Sequence, residues 1–294
     1  MVFLLPDRLT QAVFVYPSEE TNFLIISRYK NILTTTIFFL SVAVIVQLSI
    51  HPQGTGISKR ILKCGDRSNP CRIRNRKDFE KFRDKVNKGK SFKGRYFLQT
   101  KDIDLQNVEW MPIGIFGSKK YFEGTYDGGG HVIKNLNISS QYPHKPANVG
   151  LFGTLNGIVK NLGIESGTVA GDSVGGIVSH AGGANAAVIN CYNKANVTGK
   201  SRAGGIADNF SKGTIINCVN EGKVDAPVRG EIISYNAANI IAVHSEKTDF
   251  PKTFTGSYIE YNSAKEKIRD KLNDGLSHLI SEKVIDRSSV KKWR

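Results

Sequence analysis

The stretch "VINCYNKANV", Val188 to Val197, decides the reading of this chain. It sets a cysteine between two asparagines, Asn190 and Asn193. Taken alone, Cys191 fits a nucleophile, a metal ligand, half of a disulfide or a core residue. The stretch returns as "IINCVNEGKV", Ile215 to Val224, and shorter copies are "KNLNI" at Lys134 and "KNLGI" at Lys160. Aligned, the copies share Asn135, Asn161, Asn190 and Asn217, and they set Leu136, Leu162, Cys191 and Cys218 in one column. Leucines in that column mark it as apolar and inward, where a free cysteine behaves as a small hydrophobe. A Cys191–Cys218 bridge is the alternative, since adjacent rungs of stacked strands lie about 4.8 Å apart. A catalytic thiol would need access and an electropositive setting.

A second signature runs between the copies: "VGLFG" at Val149, "VGGIV" at Val174, "AGGIA" at Ala203 and a worn "RGEII" at Arg229. Each unit is a set of short apolar runs broken by Gly, Asn and Ser, which predicts several short strands and turns. Such a unit cannot bury its own apolar side, so copies stack into a solenoid. The pairs Gly175-Gly176 and Gly204-Gly205 suit a tight turn or a close approach between rungs. No phosphate-loop context follows them.

Solenoid ends expose strand edges, and the flanks read as caps. "RKDFEKFRDKVNKG" puts Phe79, Phe82 and Val86 on one helical face, with Gly89 as a stop. "SAKEKIRDKLNDGLSHLI" does the same with Ile268, Leu272, Leu276 and Leu279, and Ser263 stands at its N-cap position.

One segment is apolar throughout. "ILTTTIFFLSVAVIVQLSI", residues 32–50, has no charge and spans roughly 28 Å as a helix, which predicts a single transmembrane helix or signal anchor. The net charge of +15 is concentrated beyond it: residues 59–101 hold sixteen Lys or Arg against four Asp or Glu. That segment predicts contact with an anionic lipid or cell-wall polymer, against the plainer reading of a solvated basic cap. It lacks a nucleic-acid module, so no nucleic-acid partner is expected. Cys64 and Cys71 bracket a short turn-rich loop, "CGDRSNPC", as disulfide candidates. Zinc would need further ligands nearby.

The run from "FEKFRDKVNKGKSFKGRYFLQTKDIDLQNVEWMPIG" through "FEGTYDGGGHVIKNLNI", "VGLFGTLNGIVKNLGI" and "VGGIVSHAGGANAAVINCYNKANVTG" to "AGGIADNFSKGTIINCVNEGKV" resembles the GLUG-motif repeats. These occur in bacterial surface and secreted proteins and beside the peptidase domain of some immunoglobulin A peptidases. The resemblance covers about residues 73–243. It implies a mainly β fold, a right-handed parallel β-helix with short capping helices, displayed outside the cell. It transfers no catalytic residue, and none of the six histidines forms H-E-x-x-H.

The organisation is then an N-terminal tail (1–30), the transmembrane helix or anchor (31–51), a linker with the Cys64–Cys71 candidates (52–72), the solenoid with its helical cap (73–243), and a C-terminal helical cap and tail (244–294). The expected function is that of a membrane-anchored, extracytoplasmic binding or adhesion module without cofactor, its glycan or protein ligand open. The alternative is a carbohydrate-active enzyme, a lyase or hydrolase, on the same scaffold. That would need converging carboxylates. Asp127 reads as a turn cap before three glycines, with Asp127–His131 as a weak acid/base couple. Asp102 and Asp104 share a strand face. His180, Tyr192, Arg202 and Phe210 are candidates for a surface groove.

Overall fold

A computed structural model of the chain describes residues 64–139, 148–241, 268–281 and 290–293. The predicted transmembrane segment, the tail before it and Ser263 lie outside the described residues. Among the described residues, no helix is long and apolar enough to cross a membrane.

The repeats stack as a parallel β-solenoid of about five turns. One arm of each turn is built by β7 (Phe152–Leu155), β10 (Val178–Ala181) and the first halves of β14 (Ala207–Ile216) and β18 (Ile233–Ile241). A second arm stacks β2 (Tyr96–Gln99), β4 (Thr125–Lys134), β8 (Ile158–Ile164), β11 (Ala187–Ile189) with β12 (Tyr192–Asn193), and the end of β14 with β15 (Val219–Asn220). A third stacks β5 (Leu136–Ser139), β9 (Gly167–Gly175), β13 (Asn196–Gly204), and β16 (Val224–Asp225) with β17 (Val228–Gly230). Phe152, Val178, Ala207 and Ile233 stand in register, as do Val149, Val174, Ala203 and Arg229. The worn "RGEII" copy is therefore a rung.

The paired glycines mark where rungs touch. A Cβ on Gly176 would sit 2.2 Å from the Gly205 carbonyl oxygen, and one on Gly205 2.1 Å from that of Glu231. Within the second arm the chain turns at Asn161, Asn190 and Asn217, with φ of 51°, 55° and 50°. Asparagine tolerates this left-handed conformation better than other side-chain-bearing residues. Its amide also joins the rungs: Asn217 Nδ2 donates to Asn190 Oδ1 (2.9 Å), Asn190 Nδ2 to Asn161 Oδ1 (2.8 Å), and Asn161 Nδ2 to Asp127 Oδ1 (2.9 Å). Asn193 and Asn220 form a second such pair, at 2.9 Å.

The aligned column needs one correction. Asn135 is also left-handed, φ 54°, but it sits one corner further along. Its amide donates to Asp104 Oδ1, and its N–H to Ser166 Oγ. Leu136 pairs with Gly167, not Leu162. In that rung the column corner falls at Asp127, which pairs with Lys160 and accepts from Asn161, and a bulge between Asp127 and His131 takes up two extra residues of the Gly128–Gly130 run before Asn135 is reached. Leu162, Cys191 and Cys218 keep the column, and Leu136 is buried elsewhere in the same core. Cys191 and Cys218 are free, buried thiols. Burial, with the Cys218 thiol beside it, pushes the Cys191 thiol well above its ordinary value.

Helix α1 (Arg76–Asn87) starts at Asn75, whose side chain accepts from Asp78 N–H, and stops before Gly89 at φ 94°. Its Phe79, Phe82 and Val86 plug the first end of the solenoid. Phe79 stacks on Trp110 at 4.9 Å, and Phe82 meets Phe97 at 4.6 Å and Phe122 edge-on at 5.1 Å. Helix α2 (Ile268–Ser281), expected at the opposite end, lies instead along the outer flank of the second arm. Leu272 packs with Val132, Tyr192 and Val219, while Leu276 and Leu279 pack on Ile189 and Ile216.

Candidate anion-binding site

The Cys64–Cys71 disulfide closes a turn against the cap. Inside the turn, Gly65 N–H donates to Asn69 O, and Gly65 O accepts from Tyr96 N–H. Strand β1 (Cys71–Ile73) then runs beside β2, with Cys71 opposite Phe97. The last turn of α1 supplies Lys85, and the loop after it carries Lys90, Phe92, Lys93 and Arg95. Phe92 is held at φ 58°, which turns its ring onto Phe97, edge-on at 4.8 Å.

These pieces enclose a cavity of about 330 Å³ lined by the disulfide, Phe92, Phe97 and four cations: Lys85, Lys90, Lys93 and Arg95. The Lys90 ammonium stands 5.0 Å above the Phe92 ring, a cation–π contact that holds the charge at the rim. Arg95 is steadied by Asp66 at 3.1 Å, an exposed pair that contributes little to stability. Cations around an aromatic floor can bind a carboxylate, phosphate or sulfate carried on an apolar or sugar body.

Segment-level charge pointed to this region, but the individual residues were missed. The available signal was "KGKSFKGRYF", Lys88 to Phe97, where cations alternate with aromatics and glycines.

The other candidates fall elsewhere. Phe210 is core and Tyr192 is buried. His180 lies against Phe116 at 4.7 Å, in a column with Thr154 and Asn209, and burial lowers its basicity. Arg202 clasps the fully buried Asp208 through two bonds, 2.9 and 3.1 Å, and Ser234 Oγ donates to the same carboxylate at 2.7 Å. The Asp127–His131 couple does not form. Asp127 accepts from Gly129 N–H and Asn161, while His131 Nδ1 pairs with Asp102 at 3.3 Å. Burial alone would raise the Asp102 carboxyl, but the Val132 amide, Lys134 and His131 outweigh it and hold it below its ordinary value. Asp104 accepts from Asn135 and Gln106. Glu165 is engaged by Tyr192 and Lys194, and Asp172 by Ser201. Among the described residues, no three His, Cys, Asp or Glu side chains group as metal ligands.

No family model matches the chain. A stretch of 87 residues, 29% of the chain, is 37% identical to Halomucin of Haloquadratum walsbyi and spans 1% of that protein. The crystal structure of an immunoglobulin A1 protease candidate from Bacteroides ovatus overlays with a TM-score of 0.41 at 22% identity, over 62% of this chain and 67% of that one. A likeness of that size carries no argument about activity.

Proposed function

We propose that the chain is a membrane-anchored, extracytoplasmic β-solenoid that acts by contact, as a non-catalytic adhesion-type surface module. Its basic cap binds an anionic cell-wall polymer or lipid surface. The observation that carries this reading is the cavity of four cations over Phe92 and Phe97. The proposed anchor is residues 32–50. The right hand of the helix follows from the GLUG resemblance.

Full-length chain in an uncharged detergent is tested against a glycerol-phosphate polymer, polygalacturonate, neutral dextran, and vesicles with and without anionic lipid. Anionic ligands should be retained, and Lys90→Gln with Lys93→Gln should release them. Equal retention of dextran, or indifference to the substitutions, counts against the reading.

A further inference from the structure

The asparagine column does more than join rungs. Residues 290–293 lie against it, and their backbone is read by side-chain amides. Lys291 N–H donates to Asn161 Oδ1 at 3.2 Å, and Asn190 Nδ2 donates to the Lys291 carbonyl at 2.9 Å. Two residues on, Trp293 N–H donates to Asn273 Oδ1 at 2.7 Å, and Asn273 Nδ2 donates to the Trp293 carbonyl at 2.9 Å. Both backbone groups of alternate residues are therefore satisfied, as a neighbouring strand would satisfy them. That part of the recognition is indifferent to sequence.

Side-chain selection comes from two places. The Trp293 ring is 4% exposed and lies 4.9 Å from the Tyr192 ring, beside Val132, Val219 and Leu272. This is an aromatic socket. Lys291 is matched less well. It lines a cavity of about 200 Å³ with Arg67, Lys160 and Asp127, so three cations share one carboxylate. That carboxylate is already engaged by Asn161, the Gly129 N–H and Lys160. An acidic side chain at this position would balance the excess charge.

We propose that this cleft binds an extended segment of a partner protein with an acidic residue two positions before an aromatic one. Residues 290–293, Val-Lys-Lys-Trp, fill it in cis as a weaker stand-in. The site adjoins the cationic cavity at Phe97, which lines both, but the proposal does not rest on that reading.

The test uses the full-length chain carrying Trp293→Ala, which loosens the cis segment. Labelled peptides Ser-Ser-Val-Lys-Lys-Trp-Arg, its Glu-for-first-Lys form and a Trp-to-Ala form are compared by fluorescence anisotropy. The Glu form should bind about tenfold tighter than the Lys form at low salt, with the gap closing as salt rises. The Trp-to-Ala form should not bind, and adding Asn190→Ala should weaken the Glu form at least about tenfold. The unsubstituted chain should bind the Glu and Lys forms more weakly. If Trp293→Ala does not fold, Lys291→Pro replaces it, since it deletes the N–H given to Asn161. A folded variant that ignores the Glu peptide, or that binds the Glu and Lys forms equally, overturns the proposal.

Discussion

Asn190→Ala is the most informative single change to the fold. It deletes the amide that donates to Asn161 and Lys291 and accepts from Asn217, at 2.8, 2.9 and 2.9 Å. All three column asparagines are wholly buried. A buried polar group left unpaired costs about 1–3 kcal/mol. The penalty is softened because Asn161 Oδ1 keeps the Lys291 N–H and Asn217 Nδ2 keeps the Leu272 carbonyl. Alanine in the left-handed conformation, φ 55°, adds about 1 kcal/mol. A total loss of about 2–4 kcal/mol is expected, read by urea unfolding followed through circular dichroism. Asn190→Gly separates the terms. It keeps the backbone conformation without strain, so it should recover about 1 kcal/mol and no more. A loss under about 1 kcal/mol for alanine, or a glycine variant as stable as the native chain, would refute a stabilising ladder.

Other outcomes follow from the same structure. Cys191 and Cys218 should resist thiol reagents in the native protein and react only after denaturation; rapid native labelling would place them at the surface. Phe79→Ala should cost about 3–5 kcal/mol, because it empties the stack on Trp110, and light scattering should detect association through the uncovered end. Burial holds the Tyr126 phenol well above its ordinary 10.0. Its contribution is therefore constant below about pH 10 and falls as pH rises further, because the unfolded tyrosine ionises first. Tyr126→Phe should flatten this alkaline limb of melting temperature against pH, while losing the bond to Gln99. An unchanged limb would point to another group.

What could be read from the sequence was what leaves a mark in letters. A left-handed corner needs Asn or Gly, and a close rung contact needs Gly, so "INC" and "GGI" recur at the period of the turn. The helical face of Phe79, Phe82 and Val86 was legible for the same reason. The placement of Asn135 and Leu136 was not, because their letters match the other copies while the column corner of their rung is taken by Asp127, which bears no likeness to them in letters. An amphipathic pattern shows that α2 has an apolar face but not which surface covers it; the flank at Ile189 and Ile216 belongs to residues far away in sequence. The cationic cavity drew on α1, the following loop, β2 and the disulfide turn, and no single stretch contains it.

In the proposed function the basic cap works by charge-driven contact. The decisive measurement is the affinity of the full-length chain for an anionic polymer across salt concentration, with and without Lys85→Gln, Lys90→Gln and Lys93→Gln together. Affinity of the native chain should fall steeply with salt. The triple variant should show a shallow fall, with low-salt affinity reduced more than about tenfold. Equal slopes and equal low-salt affinities would contradict charge-driven contact.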